Sequence, residues 1–178
     1  MRKALLVALL LLPNLAAAAP GEEDKLFAQL HQASSPDDAR PIEDKLKALF
    51  RASGSATADL LMTRAQAALS GADDKTAREL VDAMTRVAPG YAEGWRLRAQ
   101  MQAAASDDAG AMVSLQRAVT LNPRQFEALA DLAGMLEDYG DKAGALKLYR
   151  RALALDPQLA GAAEREKALA KDVEGQGI

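Results

Sequence analysis

Apolar residues in the C-terminal half of the chain recur at helical spacing. Leu129, Leu132, Ala133 and Leu136 stand at i, i+3, i+4 and i+7, and Ala145, Leu148, Tyr149, Ala152 and Leu155 form a similar stripe. That spacing puts one apolar face on a 3.6-residue helix, whereas a half-buried strand would alternate every second residue. Gly140-Asp141 separates the stripes as a helix stop followed by a helix start. The same two-part pattern occurs twice upstream. Trp95, Ala99 and Met101 precede a turn, with Ala111, Leu115, Ala118, Val119 and Leu121 after it; Leu61, Ala65, Ala68 and Leu69 precede another, with Ala77, Leu80, Val81, Met84 and Val87 after it. Three helical hairpins in tandem are predicted.

The hairpins share a period. Pro89, Pro123 and Pro157 are spaced 34 apart, as are Asp73, Asp107 and Asp141; Ala65, Ala99 and Ala133; and Ala77, Ala111 and Ala145. Counting from Ala58, Ala92 and Phe126 as position one, the proline ends the second helix, because it lacks an N–H and its ring disfavours helix in the residue before it. The aspartate lies in the turn, where its side chain can cap the second helix and its charge suits that helix's positive end. The paired alanines, at positions 8 and 20, let two helix axes approach closely. Stacked neighbours of this kind share one core, which a single hairpin cannot build.

The flanks are less regular. Residues 19–57 read as a further helical pair, out of register, with Leu26, Phe27 and Leu30 on a short first helix. Ser35-Pro36 begins a second helix as cap and first residue, carrying Ile42, Leu46, Leu49 and Phe50, with Pro41 as a kink or a delayed start. This pair is expected to cover the open end of the first hairpin. Residues 160–178 are expected to form a C-terminal capping helix and tail, with Leu159, Ala162, Ala163 and Leu169 as a thin apolar stripe.

Composition narrows the chemistry. The 178 residues contain no cysteine and one histidine, so disulfides, thiolate nucleophiles and a two-histidine metal site are excluded. His31, the one histidine, has no evident partner, and the Asp37-Asp38, Asp73-Asp74 and Asp107-Asp108 pairs read as helix starts rather than calcium ligands. No cofactor and no catalytic residue is expected. Residues 1–18 combine Arg2-Lys3, an apolar run from Ala4 to Leu12 and the small residues Ala16 and Ala18, the pattern of a secretory signal peptide cut after Ala18. That run is far shorter than the ~20 residues needed to span a bilayer, so no stable membrane insertion is expected once it is removed. Loss of Arg2 and Lys3 leaves 20 basic against 25 acidic residues, a net charge of −5. An acidic chain of this kind disfavours nucleic acid as a partner.

The segment Ala128 to Pro157, with its 34-residue period, closely resembles a tetratricopeptide repeat (TPR). The resemblance covers residues 58–91, 92–125 and 126–159, with Trp95 at the family's favoured tryptophan position and Met84 in place of the usual small residue. With the leader, the chain is similar to small exported TPR proteins of Gram-negative bacteria. The resemblance implies an all-α right-handed solenoid of about eight helices and a non-enzymatic periplasmic scaffold that holds a protein or peptide segment, in cell-envelope assembly or maintenance. It implies a concave groove whose lining includes Met62, Gln66, Leu69, Arg96, Gln100, Glu127, Glu137 and Asp138. Met62, Gln66, Leu97, Glu127 and Asp131 occupy the five positions where some members carry basic residues and asparagines that grip a C-terminal carboxylate, so that kind of receptor is not expected. The groove is instead acidic toward Glu137 and Asp138, which suits a segment carrying positive charge.

Arg64 and Arg98 depart from the family pattern, because both stand at position 7, usually a buried leucine. One reading packs their stems while the heads reach water or a carboxylate. The other makes them a paired slot for a small anionic ligand or glycan fragment.

Overall fold

The computed structural model describes residues 21–175, so the expected signal peptide lies outside the described residues. Among these there are nine α-helices and no strand: α1 (Glu22–Leu30), α2 (Pro36–Arg51), α3 (Ala56–Ser70), α4 (Asp74–Val87), α5 (Ala92–Ala104), α6 (Asp108–Leu121), α7 (Phe126–Asp138), α8 (Lys142–Leu153) and α9 (Ala162–Glu174). Two helices in the N-terminal pair, six in the repeats and one at the C-terminus make up this set, in line with the expectation of about eight. Helices α3/α4, α5/α6 and α7/α8 are the three hairpins, and α4 packs on α5 as α6 packs on α7. The stacking is an all-α solenoid.

The periodic residues do what their chemistry requires. Asp73, Asp107 and Asp141 each accept a hydrogen bond from the backbone N–H three residues on, at 3.1, 3.0 and 2.8 Å. The paired alanines at positions 8 and 20 are all 0–1% exposed, so the helices of each hairpin meet almost backbone to backbone. Between the helices, Ala72, Ser106 and Gly140 take left-handed backbone angles (φ 56°, 60° and 84°). The next residue's N–H then closes back onto Ala68, Gln102 and Leu136 respectively, at 2.8–2.9 Å. Only glycine adopts this conformation without strain, so the first two turns carry a cost that the third avoids. Asp141→Ala is expected to lower stability by about 1 kcal/mol and Asp141→Asn by much less, read from the midpoint of urea unfolding.

The N-terminal pair departs from expectation. It forms as read: Ser35 Oγ accepts from Asp38 N at 3.2 Å, and Pro36 opens α2, which continues through the exposed Pro41. It does not stack on the first hairpin. Instead Leu26, Phe27, Leu30, Ala39 and Leu46 build a core with Phe126, Leu155 and Leu159 from the far end of the array. Phe27, Phe50 and Phe126 meet in a cluster with ring centroids 6.2–6.4 Å apart. The physical reason is that the aromatic side chain at the start of α7 offers a deeper apolar seat than α3, whose outward Leu60 is left 51% exposed. Polar ties run along the same edge. Tyr91 Oη donates to Arg51 O at 2.7 Å, Arg124 pairs with Glu23 and Asp24 while its guanidinium lies over the Phe27 ring, and Gln158 Nε2 donates to Ala33 O at 3.2 Å. The hairpin thus spans all three junctions that follow α4, α6 and α8.

At the C-terminus α9 covers α8, burying Ala162 and Leu169 among Ala133, Leu146 and Tyr149. Arg165 reaches Glu137 at 2.9 Å, and Arg150 reaches Glu166 and Glu174 at 2.8 and 2.6 Å. Among the described residues no helix is long and apolar enough to cross a membrane.

Candidate functional site

The first helices of the hairpins, α3, α5 and α7, carry the residues that the resemblance assigns to an inner face. Its polar centre is Arg96 on α5, whose side chain is only 13% exposed. Its Nε contacts Asp131 at 3.0 Å, and its Nη1 lies 3.4 Å from Glu93 and 3.3 Å from Glu127. Glu127 continues the network to Lys47 of α2 at 3.5 Å, and Lys47 also holds Glu43 at 3.1 Å. Gln125 donates to the second oxygen of Glu93. Burial pushes both Glu93 and Asp131 above the ordinary carboxylate range, with Arg96 opposing. Burial alone would make Arg96 less basic, but Asp131, Glu127 and Glu93 together outweigh it and raise its pKa. One guanidinium is shared among three acids, so each acid receives only part of its charge.

Beside this network the inner face has two cavities, each of about 220 Å³. One is walled by Ala99, Ala103, Leu115 and Met135, with Gln100 and Asp131 at its polar side. The other is walled by Leu69, Leu97, Met101 and Ala104, with Gln100, Asp74 and Arg78. Gln100 belongs to both and separates them.

Of the residues assigned to the groove from sequence, Leu69 and Gln100 line these cavities, while Arg96 and Glu127 form the adjoining network. Gln66 and Asp138 are exposed. Glu137 is held by Arg165 of the capping helix. Met62 is a correction: it is 4% exposed and packs in the core with Ala65, Val81 and Tyr91, so it presents almost nothing to a partner. It holds the same repeat position as Arg96, but an apolar side chain there turns into the core. Met135, Ala99 and Leu115 were missed as cavity walls; their small or flexible side chains read as ordinary core residues.

The paired arginine slot does not form. Arg98 Nε lies 3.1 Å from Asp82 of the preceding hairpin, and its guanidinium sits 5.4 Å from the Trp95 ring centroid. It lines a cavity of about 240 Å³ with Arg78, Asp82, Gln102 and Asp107, and Arg64 is not part of that lining. Arg64 is exposed on α3, because no helix stacks on that side of the first hairpin. Arg98 Nε is thus within ion-pair distance of Asp82 but makes no hydrogen bond. His31 is exposed at the end of α1. Among the described residues there is no group of three or more His, Asp or Glu side chains placed to hold a metal ion.

No protein-family model matches the chain. A TPR repeat-containing protein of Rhizobium etli is 36% identical over 78 residues, which is 44% of this chain and 38% of that protein. The chain therefore spans well under half of that relative's length. Among solved structures, the first TPR domain of Spaghetti (RPAP3) bound to an HSP90 peptide superposes with a TM-score of 0.61 at 18% identity, over 67% of this chain and 95% of that one. MamA gives a TM-score of 0.60 at 16% identity, over 88% and 87%. The Yersinia enterocolitica type III secretion chaperone SycD, in complex with a peptide of the translocator YopD, gives 0.58 at 14% identity, over 66% and 95%. At these identities the likeness is one of fold.

Proposed function

We propose that this chain, whose fold is shared with tetratricopeptide-repeat domains, is a binding scaffold whose inner face holds a segment of another protein, one bearing apolar side chains and at least one cation. The observation that carries this reading is the pair of apolar-walled cavities on either side of Gln100, set beside a network with a surplus of carboxylates. Glu43, Glu93, Glu127 and Asp131 form ion pairs with two cations, Lys47 and Arg96. Apolar side chains from the partner would fill the cavities, and its cation would offset the remaining charge. Two of the solved neighbours carry peptides, from HSP90 and from YopD, which supports a peptide-sized ligand. The groove walls are packed helices, so little ordering is required of the scaffold. The setting we propose is the periplasm, in assembly or maintenance of the cell envelope; it rests on the leader-like pattern of residues 1–18.

The test is a titration of the mature protein with a lysine–leucine peptide and its glutamate–leucine counterpart, followed by fluorescence anisotropy. The lysine peptide is expected to bind, and to bind less tightly as salt is raised. Ala103→Trp fills one cavity from an exposed position and is expected to weaken binding by about tenfold or more with an unchanged melting temperature. Equal binding of both peptides, or no effect of Ala103→Trp, would contradict the proposal.

A further inference from the structure

The turn after α8 holds a buried acid that none of the roles above uses. Asp156 is 0% exposed. Its Oδ1 accepts from Gln158 N at 3.0 Å, while Oδ2 has no hydrogen-bond donor. The groups that face it are Glu43 and Lys47 of α2 and the Gln158 backbone. Two carboxyls meet here, across the seam that joins the N-terminal hairpin to the end of the array. The apolar part of the seam is Leu30 and Leu46 against Leu155 and Leu159. A fully buried carboxylate oxygen without a donor is costly when ionised, but a protonated one becomes a donor itself.

We propose that the α1–α2 hairpin is an acid-tightened latch over one edge of the inner face: a protonated Asp156 donates from Oδ2 to the Glu43 carboxylate and clamps α2 to the turn after α8. The latch lies over the edge where α5 and α7 begin, and through Lys47 and Glu127 it is continuous with the Arg96 network. Its position therefore sets how much of that end of the groove a partner can enter. That consequence rests on the binding role proposed above, but the latch itself does not.

The electrostatic surroundings of Asp156 agree with the geometry. Burial, with Glu43 adding to it and Gln158 N–H and Lys47 opposing, raises the Asp156 carboxyl from 3.8 to about 6. A raised acid binds its proton more tightly in the closed form. Its contribution is complete below the open-state value of 3.8 and fades as pH rises through about 6. Closure is therefore favoured about tenfold more at pH 5 than at pH 7.5.

Hydrogen exchange of the full chain at those two pH values, corrected for intrinsic rates and referenced to α5–α8, reads the latch without any partner. Protection of α2 is expected to rise about tenfold in acid in the wild type. In Asp156→Asn the amide donates to Glu43 at either pH, so protection should be the same at both. Should that variant not fold, Glu43→Gln, which offers the ionised Asp156 an amide donor and removes the neighbouring charge, should diminish the pH dependence. Unchanged relative protection of α2 in the wild type, a pH dependence that survives in folded Asp156→Asn, or one that persists undiminished in Glu43→Gln, would overturn the latch. Either result leaves the peptide titration standing on its own, and failure of the titration leaves the latch in place.

Discussion

Leu132→Asp is expected to abolish cooperative unfolding and most of the helical circular dichroism at 25 °C. Leu132 is 3% exposed in the core that joins Ala99, Leu115 and Ala118 of the second hairpin to Leu129 and Ala152 of the third. Truncating a buried leucine costs about 2–5 kcal/mol. A carboxylate in the same place has no cation beside it and adds several kcal/mol more, on the order of a second core deletion. A domain of this size has only about 5–15 kcal/mol to lose, and without cysteine no disulfide compensates. Because neighbouring hairpins share the core, the loss is not confined to one of them. Val113, which is 69% exposed on α6, is the control: Val113→Asp should leave the melting temperature within a few degrees. A Leu132→Asp protein that melts normally would mean that α5/α6 and α7/α8 do not stabilise each other.

The second large effect is at Arg96. Arg96→Met keeps the side-chain volume but leaves Glu93, Glu127 and Asp131 without their shared cation. Removing one partner from a buried charge network costs about 3–5 kcal/mol, and that loss should appear in urea unfolding at pH 7.5. It should shrink at pH 5. Glu93 and Asp131 are already held above the ordinary carboxylate range by burial, and losing Arg96 removes the main influence that lowers them. Acids raised in the folded state contribute stability below their unfolded values and lose it as pH rises through the raised ones. In mild acid they take up protons and the missing cation matters less. A loss under 1 kcal/mol, or the same loss at both pH values, would mean that the network is solvent-screened rather than buried.

Much of this architecture is legible from residue columns. Each aspartate cap and each alanine pair follows from the 34-residue period, because each answers a local need of the backbone that recurs with every hairpin. The left-handed turn residue is not legible: only Gly140 signals it, and Ala72 and Ser106 adopt it because the flanking helices force it. The seat of the N-terminal pair is not legible for a different reason. Leu26, Phe27, Leu30 and Leu46 have the spacing of any amphipathic helix, and spacing says which face is apolar but not what covers it. One signal was present: Phe126 stands where the other two hairpins carry Ala58 and Ala92. A large aromatic replacing a small residue at one position of a repeat marks a contact peculiar to that repeat.

At the site, the period places Arg96 one repeat away from Glu127 and Asp131, so that part of the network could be found by register. Lys47 could not, because it lies outside the repeats and arrives only through the fold of α2 over the edge. Arg64 and Arg98 illustrate the opposite failure. They share a repeat position, but Arg98 has Asp82 of the preceding hairpin before it, and nothing is stacked before Arg64. A shared position gives a shared environment only inside the array, not at its end.

The binding role depends most directly on which face of the solenoid meets a partner. A photo-crosslinking amino acid placed at Gln100, between the two inner cavities, can be compared with one at Val113 on the outside, each in the otherwise native protein in its own cells. A discrete adduct from Gln100 that Ala103→Trp removes, with none from Val113, is the expected result. Equal adducts from both positions, or an adduct from Val113 alone, would contradict it.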